Sequence, residues 1–326
     1  MKKRILITLG FAAAIGIIVG TQTTKPTDGA KVVAIATLMS HPALDAVQEG
    51  IVRELRAMGF AEGKTIRYIV RNANGQVQIA SAIANDLAAQ NPDVIVAITT
   101  PMAQAVAKVT RGPIVFAAVT DPVGAGLVQS LNRPGEGITG TSDAWPYEDQ
   151  LKLIRAISPA AVRLGVLYNP GEAASQYGIR QIRALAPSLG FKLVEGSVSS
   201  TGDVYPVAQG IASRVDALYL SSDNTVISGV AAAVRVAIQR KLPLYVGDSG
   251  TVEKGGLAAV SVGYAKLGAE TGKLVARVLR GERNIPVVVA KGTEVYINKK
   301  SAELMGVSVP EAVLRKATKV YGEIGG

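Results

Sequence analysis

The chain of 326 residues contains no cysteine. No disulfide framework, zinc–thiolate site or cysteine nucleophile is open to it. It has a single histidine, His41. That excludes a multi-histidine metal site and obliges any Ser-His-Asp arrangement to use this one ring. Aromatic residues make up only 5% of the chain. Nucleotide and hydrolase signatures are missing as well, with no G-x-x-x-x-G-K-[ST] and no G-x-S-x-G. "GEGITG" (135–140) fits G-x-G-x-x-G but precedes a strand instead of joining a strand to a helix, so it lacks the context of a dinucleotide site. "GDSG" (247–250) has the letters of a serine-protease string without a histidine and aspartate framework around it. The formal charge is +10. The lysines and arginines are scattered through predicted helices, with no long basic run and no basic–aromatic interleaving, so no nucleic-acid surface is expected.

What is present points to an α/β protein. Hydrophobic residues make up 48% of the chain and there are 35 glycines. That suits a turn-rich fold with a core large enough for two lobes. "MKKR" is followed by "ILITLGFAAAIGIIVG", 16 uncharged and mostly apolar residues. This has the basic and apolar regions of a secretory leader. It lacks a clear A-x-A cleavage site, and without cysteine it is no lipoprotein signal. The run is short of the roughly 20 residues that span a bilayer comfortably. Residues 1–30 are expected to be a leader or an uncleaved anchor, placing the body outside the cytoplasmic membrane, in the periplasm or beyond the cell.

From residue 31, short apolar strands alternate with helical patterns. "VVAIATL" (32–38) precedes a helix over about 43–58, and "TIRYIV" (65–70) one over about 76–90. "VIVAITT" (94–100) and "IVFAAVT" (114–120) follow, each leading into a helix. Strands this apolar are buried on both faces, as in a parallel sheet covered by helices. The series then recurs. "RLGVLYN" (163–169) leads to a helix over about 172–188, and "FKLVEGSV" (191–198), "ALYLSSD" (217–223) and "LPLYVGD" (242–248) come after it. Met58-Gly59-Phe60 corresponds to Leu189-Gly190-Phe191 at an offset of 131, and Val33 to Leu164 at the same offset. "DVIVAITT" from Asp93 matches "DALYLSSD" from Asp216 at an offset of 123. Two similar units predict two doubly wound parallel-sheet lobes. The expected division is 31–142 plus about 264–291 for the first lobe, and 143–263 plus about 292–326 for the second. A helix over about 264–281 returns the chain to the first.

Open parallel sheets bind ligands beyond the carboxyl ends of their strands. Those ends carry Ser40-His41-Pro42, Thr100-Pro101, Thr120-Asp121-Pro122, Tyr168-Asn169-Pro170 with Glu172, Asp223-Asn224 and Asp248-Ser249. Ser, Thr, Asp or Asn before proline is first of all a helix cap. A cap that faces a cleft also leaves free backbone amides there, which suit a carboxylate. Thr100 with the amides near Met102, Ala103 and Gln104 answers that description. The duplication places Asp223 opposite this threonine, and Asp248 is a second acid on the same side. An acid there would hold an ammonium group. A carboxylate grip in one lobe and an ammonium grip in the other describe an amino-acid site. His41 reads as a cleft or cap residue, and Trp145 and Tyr168 either stack on a ligand or pack.

At these positions the sequence resembles a known family. "HPALDAVQEGI", "TTPMAQAV", "FAAVTDPVGAGLV", "GVLYNPGE", "DALYLSSDNTV" and "VYINKKSAELMGV" look like the ABC-transporter substrate-binding proteins that include tryptophan- and tyrosine-binding members. The likeness runs from about residue 32 to 310. It implies a type I periplasmic-binding-protein fold, with two lobes joined by a three-crossover hinge. It further implies capture of a small solute, often an aromatic amino acid, for delivery to a membrane permease. A monomer is expected, with no metal and no cofactor. The motif positions carried over are Thr100, Ala103, Gln104, Thr120, Asp121, Asn169, Glu172, Asp223, Asn224 and Asp248. Many relatives have a lipobox cysteine, and this chain has none. A ligand-sensing subunit for a membrane receptor is the alternative within binding proteins. An enzyme on the same lobes is disfavoured by the single histidine and the missing nucleophile motif. A repressor would need an N-terminal DNA-binding domain, for which residues 1–30 are too short and too apolar.

Overall fold

The computed structural model describes residues 29–325. The leader or anchor expected over residues 1–30 lies, but for its last two residues, outside them. Among the described residues no helix is long and apolar enough to cross a membrane.

The chain first runs β1 (Lys31–Thr37), α1 (Pro42–Ala57), β2 (Ile66–Asn72), α2 (Val77–Ala89), β3 (Val94–Ile98), α3 (Thr100–Val109), β4 (Ile114–Ala117) and β5 (Ile138–Ser142). It continues α4 (Tyr147–Ile157), β6 (Arg163–Tyr168), α5 (Ala173–Leu185), β7 (Lys192–Ser197), α6 (Val204–Ile211), β8 (Ala217–Leu220), α7 (Asn224–Ser228), α8 (Val230–Arg240), β9 (Leu244–Val246), α9 (Ser249–Glu253) and β10 (Ala258–Ser261). Then come α10 (Tyr264–Leu279), β11 (Val288–Val289), β12 (Glu294–Asn298), α11 (Lys299–Met305), α12 (Glu311–Leu314) and β13 (Lys319–Tyr321).

One sheet has the order β2-β1-β3-β4-β5-β11, the other β7-β6-β8-β9-β10-β12-β13. Each begins with the same doubly wound order, and every pairing is parallel except β10 with β12. The chain passes between the sheets after β5, after β10 and after β11.

The duplication has a physical counterpart at the far end of each sheet. Asp93 opens β3, and its carboxylate accepts from Val32 N–H at 2.7 Å and from Lys31 Nζ at 2.8 Å, at the start of β1. Asp216 opens β8, and it accepts from Arg163 N–H at 2.7 Å and from the Arg163 guanidinium at 2.6 Å, at the start of β6. The two aspartates tie equivalent strands at their amino ends.

Central strands are buried as a covered parallel sheet requires: all of β3, β4 and β8 is inaccessible. Strands β2 and β7 are edges and are only partly covered. Helix α1 forms because Pro42 sits in its first turn and Leu44, Val47, Ile51 and Leu55 recur on one buried face. That face packs along α10. One expected element is absent. After β4, residues 121–131 form turns in place of a helix. Asp121 Oδ1 accepts from Gly124 N–H at 2.9 Å, and Gly126 at φ 70° takes the chain out of helical conformation.

Candidate functional site

The carboxyl ends of β1, β3 and β4 face those of β8 and β9 across a cavity of about 50 Å³. The first-sheet wall includes Met39, His41, Thr99, Thr100, Ala118 and Thr120, and the second-sheet wall Ser222, Asp223, Asn224 and Asp248. Asp143, Trp145 and Tyr264, from the first two crossings, close one end.

At the first-sheet wall, β3 ends in backbone held out of its ordinary range. Thr99 has φ 88° and ψ 156°, and Ala118, one strand over, has φ 50°. A β-branched residue in this region is strained, and such strain gathers at ligand clamps. The hydroxyls of Thr99 and Thr100 are buried without a hydrogen-bond partner. With Pro101 in the first turn, the amides of Thr100 and Met102 precede the first intrahelical bond, Ala103 N–H to Thr99 O at 3.0 Å.

The same cavity is lined by an acid that the strand-end survey passed over. Asp143 is buried; its Oδ2 accepts from Tyr264 OH at 2.9 Å and from Trp145 Nε1 at 3.3 Å, while Oδ1 has no partner. Burial pushes its pKa up, opposed by the Tyr264 hydroxyl and the Trp145 N–H. The Trp145 ring lies flat against Gly247, where an added Cβ would overlap it. That glycine is therefore required by close approach.

The acids that the sequence singled out are turned inward to their own helices. Asp223 Oδ1 caps α7 by accepting from Val226 N–H at 2.8 Å. Its Oδ2 accepts from Ser175 Oγ at 2.6 Å and from Asn169 N–H. Burial, and then the charge of Glu172, push its pKa up to about 6. Asp248 caps α9, accepting from Thr251 N–H at 2.9 Å and Thr251 Oγ1 at 2.5 Å. His41 reaches the same turn from the other sheet. Its Nε2 lies 3.2 Å from Thr251 Oγ1 and 3.7 Å from Asp248 Oδ1, while Nδ1 accepts from Ala43 N–H at 3.4 Å and caps α1. The cap assigns the ring proton to Nε2.

His41, Thr100, Thr120, Asp223, Asn224 and Asp248 thus line one cavity. The remaining candidates stand outside it. Ala103 is in the core of α3. Gln104 Nε2 donates to Ala125 O at 2.9 Å, and Asp121 is committed to its turn. Asn169 Oδ1 accepts from Gly171 N–H at 2.8 Å, and Tyr168 has the Arg183 guanidinium 5.9 Å from its ring centre. Glu172 Oε2 accepts from the Asn224 amide at 2.8 Å and Oε1 from Thr225 N–H at 2.9 Å, so it serves α7. Ser40 accepts from Asn72 Nδ2 at 2.9 Å and lines a neighbouring chamber. The sequence survey did not select Met39, Thr99, Asp143, Ser222 or Tyr264. Only Asp143 carried a usable signal, an acid beside the single tryptophan in the small-residue crossing "GTSDAW". No group of metal-ligating side chains occurs among the described residues.

Direct contacts bridge the two walls. Thr120 Oγ1 and Ser222 Oγ are 2.8 Å apart, and Ser228 Oγ is 3.0 Å from Met39 Sδ.

The pattern of the family described as "ABC transporter substrate binding protein" matches residues 32–321. The chain belongs to this family. The family and the relatives below are solute-binding proteins, not enzymes; family members act outside the cytoplasm and bind small molecules in association with ABC transporters. A tyrosine-binding protein of Clostridioides difficile is 33% identical over 290 residues, 87% of this chain and 84% of that one. The crystal structure of an ABC domain in complex with L-Trp from Streptococcus pneumoniae is 34% identical, with a TM-score of 0.86 over 89% of this chain and 99% of that one. The ligand-free, open structure of a substrate-binding protein with adhesive properties from Clostridium difficile is also 34% identical. It reaches a TM-score of only 0.68, over 90% of this chain and 100% of that one. In this chain the Thr120–Ser222 and Ser228–Met39 contacts hold the two walls together.

Proposed function

We propose that the chain is the extracytoplasmic solute-binding subunit of an importer, and that it captures an amino acid, preferentially an aromatic one, by lobe closure. The carrying observation is the set of buried polar atoms left without partners around one cavity. Thr99 and Thr100 offer hydroxyl donors, with the adjoining amides, for a carboxylate; Asp143 Oδ1 offers an acceptor for an ammonium group. Buried polar groups are paired in native proteins, so a trio of this kind implies a ligand that pairs them. Trp145 and Tyr264 supply aromatic surface beside the acid. A zwitterion with an apolar side chain satisfies all three requirements. The names of the tyrosine-binding relative and the L-Trp complex support this choice. The ammonium partner is Asp143; Asp223 and Asp248, favoured by their place at strand ends, act as caps. The ligand touches both walls only when they meet, so binding shifts the population toward closure. The closed form is what a membrane permease would recognise. The chain acts as a monomer, released or retained by its N-terminal segment.

The test is a thermal-shift and calorimetry panel on protein unfolded and refolded to strip carried ligand, using the common amino acids with sugars and nucleosides as controls. At 100 times its Kd a ligand adds about 2.7 kcal/mol to stability. A response confined to tryptophan, tyrosine or phenylalanine supports the assignment. A response to sugars or nucleosides alone overturns it.

A further inference from the structure

The closed cavity is small for the ligand just proposed. At about 50 Å³ it holds a few ordered waters, each taking roughly 10–15 Å³ of such space. A whole aromatic amino acid displaces several times that. Next to it, between the lobes, lies a chamber of about 420 Å³ that reaches Ser40, Asn74, Ser228 and Lys254. Met39, His41 and Ile227 line both spaces and form the wall between them.

These three side chains differ in their freedom to move. His41 is fixed at both ring nitrogens, by its own helix and by Thr251. Ile227 is β-branched and sits in α7, where χ1 has essentially one setting. Met39 lies in the irregular segment after β1. It is unbranched, with three rotatable bonds, and besides its core packing its thioether accepts one weak hydrogen bond, from the Ser228 hydroxyl at 3.0 Å.

We infer that Met39 is a size gate: its side chain swings aside to merge the cavity with the chamber, and this sets how large a ligand side chain the closed protein admits. Small amino acids fit with Met39 in place. Large ones must move it and lose its packing and its contact with Ser228. This inference rests on the amino-acid assignment for its ligands, but the wall itself does not.

The test compares L-tryptophan, L-alanine and free indole on the wild-type chain, Met39→Ala and Met39→Ile, with unliganded melting followed to confirm folding. Met39→Ala opens the wall, and the tryptophan-to-alanine affinity ratio is expected to rise threefold or more. Met39→Ile puts a stiff side chain there, and that ratio is expected to fall tenfold or more with alanine binding little changed. A ratio constant within twofold in both variants overturns the gate. If the wild type binds neither amino acid, the ligand assignment fails, and the gate is judged on indole, which needs ring space but no carboxylate grip. Indole binding tenfold tighter in Met39→Ala upholds it, and equal indole binding in all three proteins overturns it.

Discussion

His41 and Thr251 meet across the cleft, with the imidazole Nε2 3.2 Å from the threonine hydroxyl. The ring belongs to the start of α1 and the hydroxyl to α9, so the contact exists only when the lobes are closed. Burial there holds the His41 pKa below its ordinary value, with help from Lys254 and against the pull of Asp248, Asp45 and Glu253. In an open form the ring is solvated and returns toward about 6.5. The open form therefore binds the proton more readily. Closure, and ligand affinity with it, should be flat above neutral pH and weaken as pH falls through about 6.5, by at most roughly tenfold per pH unit. Isothermal titration across this range should show the slope in wild type and a flatter one in His41→Gln. Identical slopes would dismiss the latch.

Asp143 and Asp223 are expected to separate binding from stability. Asp143→Asn removes the charge that faces the cavity and should cost on the order of 2–5 kcal/mol of amino-acid affinity. Asp223→Ala removes a cap and strands its buried donors, costing about 1–3 kcal/mol of folding stability, with affinity changed by less than about threefold. Burial raises the pKa of both acids, so their pH signs agree. The pKa of Asp223, raised to about 6 in the fold, gives it a stabilising contribution present in acid and lost as pH rises through that value. Urea unfolding and calorimetry on both variants decide the matter; an affinity loss confined to Asp223→Ala would restore it as the ammonium partner.

Thr99→Gly should make the protein more stable and a poorer binder. The φ of 88° with ψ of 156° lies in a region that costs a side-chain-bearing residue about 1–3 kcal/mol. Glycine relieves it and returns part of that gain through the entropy of the unfolded chain. A net stabilisation of about 1 kcal/mol is expected, with weaker ligand binding because one buried donor is gone. Destabilisation by urea titration would show that the strain is absent.

Gly250→Ala should block closure without harming the fold. A Cβ at Gly250 would stand 2.5 Å from His41 Cε1 and 2.9 Å from Ala43 N, both on the opposite lobe. Melting of the unliganded protein should be unchanged, affinity should fall tenfold or more, and small-angle scattering should show a larger radius that ligand fails to reduce. Ligand-induced compaction equal to wild type would contradict this.

The architecture was legible because its signals are repetitive and backbone-based. Apolar runs such as "VIVAI" have one comfortable place, between helix layers. The matched aspartates at 93 and 216 mark the same tie in both units. The turn after β4 was missed because residues 121–131 have an apolar pattern compatible with a helix, and Gly124 and Gly126 outweigh it. The site was less legible. Strand-end acids were read as caps that could also hold a ligand; Asp223, Asp248 and Glu172 do bond helix amides, and Asp223 and Asp248 line the cavity as well. Pattern cannot tell which way a cap's second oxygen looks. Asp143 was passed over because it begins an interlobe crossing instead of a strand–helix turn within one sheet, and because its partner Tyr264 is far away along the chain.

The duplicated positions Thr100 and Asp223 head α3 and α7, yet one hydroxyl is unsatisfied while the other carboxylate is fully bonded. A pocket between two copies begins with matching walls, but an amino acid has two unlike ends and needs them to differ. Among the groups that line the cavity, the unpaired atoms are on the first lobe and its crossing, in Thr99, Thr100 and Asp143, while Ser222, Asp223, Asn224 and Asp248 of the second lobe are bonded. On the proposed amino-acid assignment, that asymmetry implies an order in time: the solute would load onto the first lobe while the protein is open, and the second would come down over it as a lid.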